Sequence, residues 1–464
     1  MIIIKVIPLT EVVLLRSEQV FKGNFFHAPT YGKAEYLEKS LITVNKQGII
    51  ENVQAQSDLD YQSALTEARV NNLLVDFGDK FVLPGFIDLH IHAPQWPQAG
   101  VALDEPLNVW LDECTFPLEA KYSDIEFAKA VYSDLVQQLL NRGTTTAVYF
   151  ATQHLESSIE LAKISARLGQ RAFVGKVAMD NPEQTHDYYR DESSEQAIAD
   201  TEAFIVRVRE LARDVVQGVY PVVTPRFVPS CTDETLKGLG ILAQKYDTYV
   251  QTHCSEGQWE HGYVLDRYGK RDTDVLADFG LLNNKSIMDH CNFVNDHDGE
   301  LFAKHGAAIA HCPISNAYFA DGVLPVNRLK KQGVKVGLGT DISGGFSPSL
   351  YDNIKQTVIS SRMLTDGVDV TIEQEKRGVL NSRVSVLEAF YLATHGGGEA
   401  LNLPVGLFKE GQIFDAQVLD PKQTANSLPG FDLYTEPFSR LAKLLYLSTP
   451  ANITEVWVQG NKVK

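Results

Sequence analysis

Between residues 86 and 340 the chain alternates short apolar runs with longer helical stretches, and this rhythm restricts the folds open to it. Eight runs can be counted, at 86–92, 145–150, 172–179, 219–227, 248–253, 286–290, 307–311 and 334–340. Continuous apolar runs of this length read as strands buried on both faces. The stretches 124–142, 157–168, 195–215, 233–245 and 324–332 read as helices between them. Repeated strand–helix units call for a parallel sheet, because each parallel return needs a crossover. Eight such units suit an α/β architecture of the (β/α)8 TIM-barrel type, with function at the C-terminal strand ends. A doubly wound sheet is the alternative, and it wants a Gly-rich phosphate turn after the first strand. His92-Ala93-Pro94-Gln95 stands there instead.

The ends of the chain read differently. Short strand-like segments at 2–7, 12–15, 40–44, 48–53 and 73–77 precede the barrel pattern, and 414–418 and 454–458 follow it. Neither end carries much core of its own. The expectation is a small composite β-sandwich from residues 1–80 and 398–464, beside a barrel over 81–397. The polar segment 180–195, which contains Tyr188 and Tyr189, reads as a loop over the strand ends. No internal repeat or low-complexity tract is visible.

Bulk properties exclude some functions. Of 464 residues, 44% are hydrophobic and 22% charged, an ordinary globular balance. A formal net charge of -17 argues against nucleic acid and anionic membrane surfaces as partners. The five cysteines are odd in number and show no CxxC spacing, which points to a reducing, cytoplasmic setting. The apolar first residues are short and interrupted by Lys5 and Pro8, unlike a signal peptide. No apolar run reaches the roughly 18 residues of a membrane span.

The first barrel run, Pro84-Gly85-Phe86-Ile87-Asp88-Leu89-His90-Ile91-His92, ends in two histidines two apart. Residues i and i+2 of a strand share a face, so His90 and His92 project together. The pair is either half of a metal site or two hydrogen-bonded packing histidines. The other strand ends add Arg226, His253, Asp289-His290, His311 and Asp341. A buried cluster of this polarity is costly unless something binds it. Three imidazoles and a carboxylate suit a borderline divalent cation such as Zn²⁺. His90, His92, His253 and Asp341 are the candidate ligands. An open position would hold a water whose pKa falls toward ~7. Glu256, three residues beyond His253, is the candidate proton shuttle, and His290 a hydrogen-bond partner for the attacking hydroxide. Cys254 follows a ligand, points to the other face and reads as packing. His311 and Lys176 read as supporting residues, and Gly344-Gly345 as loop flexibility.

The run 84–92, His253-Cys254-Ser255-Glu256, His290, His311-Cys312-Pro313 and Gly339-Thr340-Asp341 together resemble the amidohydrolase superfamily, in its mononuclear aminohydrolase branch. The resemblance covers nearly the whole chain. His92-Ala93-Pro94-Gln95 and Thr224-Pro225-Arg226-Phe227 look like the guanine deaminases of that branch. Some amidohydrolases hold two metals with a carboxylated lysine on strand 4. Arg226 ends that strand here, so one zinc per chain is expected. The resemblance implies hydrolytic deamination at C2 of guanine, giving xanthine and ammonia in purine breakdown and salvage. It implies catalytic roles for Glu256, His290 and Asp341. It also implies a base-binding pocket of Gln95, Arg226, Phe227, His253, Glu256 and Asp341, and a homodimer. Arg226 would pair with the O6 carbonyl; a salt bridge on the barrel rim is the other reading of it. Rival functions are a related deaminase or hydrolase acting on 8-oxoguanine, a triazine or an adenosine derivative, and a non-catalytic assembly protein on the same scaffold.

Overall fold

The structure is a computed structural model that describes residues 18–464 apart from 321, 424, 426, 427 and 432. The strand segments expected at 2–7 and 12–15 lie outside the described residues.

Eight parallel strands follow one another in chain order: Phe86–His92, Thr144–Phe150, Arg171–Gly175, Val219–Pro225, Tyr249–Cys254, Ser286–His290, Ala308–His311 and Lys335–Leu338. Beyond its last strand the sheet closes on its first. Asp341 N donates to His90 O at 2.9 Å, and His92 N to Ile342 O at 2.8 Å. Buried Asp88 completes the seam, accepting from Thr340 N at 2.9 Å and Thr340 Oγ1 at 2.6 Å. The expected barrel is present. The run expected at 172–179 is broken at Lys176, whose Nζ lies 2.7 Å from Asp191 Oδ1 in the interior; Val177–Ala178 then pairs separately with the fourth strand.

Helices cover the outer face, and their ends carry recognisable stops. Asp124 accepts from the backbone of Glu126 and Phe127 ahead of Ile125–Asn141, and Thr232 accepts from Thr235 ahead of Asp233–Lys245. Glycine in the left-handed region ends Leu155–Leu168 at Gly169.

The first barrel strand carries a bulge that aims the site. Between Asp88 and Ile91 its register against the second strand slips by one residue. Ile87 and Leu89 therefore pack inside the barrel with Val148, Phe173 and Val222. One residue later the odd–even pattern has switched, and His90 and His92 face inward as well, against Phe150. Gly339 makes room opposite: a Cβ there would lie 2.8 Å from His90 Cβ.

The two ends of the chain share one seven-stranded sheet, in the order Asn461–Lys462, Ile453–Val458, Ala416–Leu419, Leu74–Pro84, Gln19–Thr30, Lys33–Val44 and Ile50–Gln54. All neighbours are antiparallel except Gln19–Thr30 with Leu74–Pro84. The sheet curls onto itself. Phe21 and Trp457 sit three strands apart, about 14 Å on a flat sheet, yet their rings are 5.0 Å apart. Phe25, Ile42, Phe77 and Phe414 fill the space between. The unit sits at the N-terminal ends of the barrel strands, where buried Arg171 bonds Asp415 and Gln459. The long strand Gln19–Thr30 was not anticipated, because register shifts at Gly23/Phe25 and His27/Thr30 break its alternation. Among the described residues no helix is long and apolar enough to cross a membrane.

Candidate active site

The strand ends bring His90, His92, His253, His290 and Asp341 to one point. His92 Nε2 and His253 Nε2 lie 2.9 Å apart, and His90 Nε2 is 3.1 Å from Asp341 Oδ1. His92 Nε2 lies 3.7 Å from the same oxygen. His290 Nε2 is 3.9 Å from Asp341 Oδ2 and 3.8 Å from Glu256 Oε1. Two sets of three, His90–His253–His290 and His90–His92–Asp341, are close enough to hold a metal ion. Several of these positions depend on left-handed backbone: φ is +48° at Ser255, +66° at His290 and +51° at Asp341. Non-glycine residues adopt this conformation rarely, and it concentrates where a site over-determines the chain.

The donor set fits a divalent cation. Two ligands each 2.0–2.1 Å from one zinc lie roughly 3.0–3.4 Å apart, close to the 2.9 and 3.1 Å spans observed. Burial, reinforced by neighbouring imidazoles, pushes His92 and His253 well below the ordinary histidine range, so both rings are neutral and carry lone pairs. His253 Nδ1–H donates to the Arg226 carbonyl at 2.6 Å, which keeps the proton on Nδ1 and leaves Nε2 bare. Burial acts downward on His90 too, but the carboxylates of Asp289 and Asp341 outweigh it and hold the group up at about 10. Those acids thus favour positive charge at this spot. Among the described residues His290 Nε2 has no hydrogen-bond partner, and each ring nitrogen of His90 faces a carboxylate oxygen at 3.1 Å.

Glu256 sits beside the cluster on the loop after strand 5. Burial, opposed by His290 and helped by Asp341, pushes its carboxyl up from the usual range. Its backbone N–H donates to Glu260 Oε2 at 2.7 Å, which ties the loop down. His290 Nδ1 lies 2.9 Å from Asn316 Oδ1.

A cavity of about 1250 Å³ opens over the cluster, lined among others by Gln95, Arg226, Phe227, Trp259 and Phe319. Arg226 is buried rather than on the rim, and it does form a salt bridge, to Glu119, with Nη1–Oε2 2.7 Å. Burial opposes its charge, and Glu119 more than compensates. Gln95 Nε2 donates to Glu119 Oε1 at 2.9 Å, and Ser343 N donates to Gln95 Oε1 at 3.2 Å. The Phe227 ring stands edge-on to His253 with centroids 6.2 Å apart. The 182–186 stretch of the expected loop lines the cavity. Cys254, His311 and Lys176 are buried away from the cavity lining. The Gly344-Gly345 pair serves tightness rather than flexibility: a Cβ on Gly345 would lie 2.1 Å from the Thr340 carbonyl.

Two residues escaped the sequence reading as site residues, and a third, Asp289, stands among its strand-end groups without a role. Asp289 Oδ2 lies 3.1 Å from His90 Nδ1. Its place beside His290 on strand 6 was a usable signal. Glu119 comes from a four-residue helix and Tyr189 from a loop, both outside the strand ends, and no periodicity marks them.

The amidohydrolase family profile matches residues 81–463. The chain is 38% identical to the guanine deaminase of Dictyostelium discoideum over 96% of its own length and 98% of that protein's. The chain belongs to the guanine deaminase family of amidohydrolases. Its likeness to the guanine deaminase of Homo sapiens is 37% identity over 96% of both chains. The crystal structure of a guanine deaminase from C. acetobutylicum, with guanine bound in its active site, superimposes with a TM-score of 0.84 at 34% identity, covering 97% of this chain and 100% of that one. This membership carries the metal dependence typical of amidohydrolases, in keeping with the His/Asp cluster.

Proposed function

We infer that the protein hydrolyses guanine to xanthine and ammonia. The observation that carries this reading is one cavity holding both the His/Asp cluster and the buried Gln95–Arg226 pair. A guanidinium has only donors, so Arg226 suits the O6 carbonyl of guanine and opposes the 6-amino group of adenine. Gln95 offers a donor and an acceptor to the purine edge, and Phe227 an apolar side. That the C. acetobutylicum relative binds guanine in its active site supports the same substrate here.

One Zn²⁺ per chain, held by His90, His92, His253 and Asp341, is our assignment. Such an ion would acidify a water and so supply the nucleophile for C2. Asp341 would accept the proton that water gives up. His290 presents a bare Nε2 to the attacking oxygen, since its Nδ1 is engaged by Asn316. Glu256, with its raised carboxyl, protonates the ring nitrogen next to C2 and then regains a proton from the added hydroxyl, while the proton taken up by Asp341 passes to the departing amine. The 2-amino group leaves as ammonia, and the oxygen stays as the 2-oxo group of xanthine.

We also propose a composite β unit of residues 1–80 and 398–464 beside a barrel over 81–397; the shared sheet supports it. A homodimer acting in cytoplasmic purine turnover fits further features. Five free cysteines, four of them buried, suit a reducing compartment. Met363, Val368, Val370 and Leu380 are exposed apolar side chains that a second copy would cover. Ammonia release from guanine, 8-oxoguanine, adenine and cytosine by the metal-assayed protein tests the function. Guanine should dominate, with xanthine as product. A stronger response to another base would overturn the substrate assignment.

A further inference from the structure

Four donors converge on one buried carboxylate. Glu119 is 1% exposed. Its Oε1 accepts from Gln95 Nε2 at 2.9 Å and Arg226 Nη2 at 3.2 Å. Its Oε2 accepts from Arg226 Nη1 at 2.7 Å and the Tyr189 hydroxyl at 2.6 Å. A carboxylate has about four lone-pair sites, so Glu119 has none left for a ligand. It touches both side chains assigned to the base and does not itself line the cavity.

We propose that Glu119 is the positioning residue that sets base selectivity, by fixing which way Gln95 and Arg226 present their donors and acceptors. The inference rests on the reading of this cavity as a guanine site. A glutamine amide is nearly symmetric in shape, so either end can face a given neighbour. Beside Glu119 only the NH₂ end is tolerated, because a carbonyl would meet a carboxylate. The other end is held by the Ser343 N–H at 3.2 Å. Gln95 therefore enters the cavity with one free N–H and one free lone pair in a fixed order. Arg226 is restrained in the same way. Two of its five donors are spent on Glu119, and the Phe116 ring packs 5.2 Å from its guanidinium carbon. Without Glu119 the amide can turn over and put an acceptor where a donor stood. Arg226, released from its two bonds to Glu119, could also swing away from position 6, and the penalty it places on a 6-amino purine would fall. Glu119 lies on the four-residue helix Phe116–Glu119, outside every strand-end motif.

A structural role alone, neutralising buried Arg226, predicts something different: equal loss on every substrate together with a lower melting temperature. The test compares guanine with 2,6-diaminopurine, which keeps the 2-amino group and replaces the 6-oxo group by an amine. For wild type and Glu119→Gln, kcat and KM are measured on both bases, with metal content and melting temperature. Sites built around a specific hydrogen bond discriminate by up to about 10⁴-fold. Glu119→Gln should lower the guanine-to-diaminopurine ratio of kcat/KM by about 100-fold, mainly through KM for guanine, with metal retained. An unchanged ratio, with both bases falling alike, overturns the proposal. If Glu119→Gln fails to fold, Glu119→Asp carries the same test. It keeps the charge that neutralises Arg226 but is one methylene too short to reach all four donors. It should melt near wild type and still lose selectivity; full selectivity in this variant would also overturn the proposal. Wild-type protein that releases no ammonia from guanine would instead defeat the functional reading, a result separate from either ratio.

Discussion

The lower half of the barrel interior is closed by Ile87, Leu89, Val148, Phe173, Val222 and Ile287, all buried and apolar. One or two residues further along strands 1 and 6, the interior is histidine and carboxylate. Ile287 is followed inward by Asp289, and Leu89, across the bulge, by His90. The backbone ladder is the same in both layers, so strand formation does not distinguish them. The lower layer stabilises the fold by removing apolar area from water. The upper layer costs desolvation free energy and is tolerable only when a cation and hydrogen bonds compensate it. One fold thus contains a layer that holds it together and a layer that function imposes on it.

If the layers are separate in this sense, breaking the upper one should destroy chemistry while sparing the fold. The largest effect is expected at His90. His90→Ala removes the imidazole that spans Asp289 and Asp341, and should cost at least about 10⁴-fold in kcat/KM, the scale of losing a central catalytic group. Chelation of the wild-type protein should produce the same loss, and added Zn²⁺ should reverse it in wild type only. Full activity in His90→Ala would refute the metal assignment. The next effect belongs to Glu256. Glu256→Gln keeps the shape and removes the titrating proton, so about 10²–10⁴-fold of rate should vanish with metal content unchanged. Near-normal turnover would remove Glu256 from the proton path, whereas loss of metal would make it structural.

The same two layers explain what could be read from the chain beforehand. The lower layer and its strands follow from apolar runs of strand length, and 86–92 and 286–290 coincide with the strands observed. His90, His92, His253, His290 and Asp341 were legible because each lies within two residues of the end of such a run. Their convergence depends on the bulge between Asp88 and Ile91, which strict alternation does not contain. Glu119 and Tyr189 were illegible for a related reason. They reach the site from a short helix and a loop away from the strand ends, and only the folded chain brings them beside Arg226. The strand Gln19–Thr30 was hidden by its own register shifts, although it is central to the terminal sheet.

A smaller effect is expected one shell behind the cluster. Asp289 meets His90 Nδ1 at 3.1 Å, and burial, opposed by His90, raises its carboxyl. A carboxylate behind a ligating histidine fixes the ring and strengthens it as a donor. Asp289→Asn should weaken Zn²⁺ retention by about 10–100-fold in competition with a chelator, with turnover near wild type at saturating metal. Retention equal to wild type would show that the first-strand bulge alone orients His90.

The smallest effect on turnover is expected from the lower layer, and it is the sharpest test of the comparison. Phe173 is fully buried, stacked on Tyr220 with centroids 4.6 Å apart and edge-on to Tyr249 at 4.8 Å. Phe173→Ala removes a ring from close packing and leaves a cavity, a change that typically costs about 3–5 kcal/mol. For a chain of this size the melting temperature should fall by several degrees. The side chains above do not rely on Phe173 for any hydrogen bond. Gln251, which stands between the layers, bonds the Tyr149 carbonyl at 2.8 Å and Thr224 Oγ1 at 3.0 Å. Well below its melting point, Phe173→Ala should therefore bind metal normally and turn guanine over within about twofold of wild type, because additivity holds for sites that share no partner. Calorimetry with kcat measured at low temperature checks both halves. A tenfold fall in kcat with the fold intact would mean that the apolar layer sets the geometry of the histidines, and the two layers would have to be treated as one coupled unit.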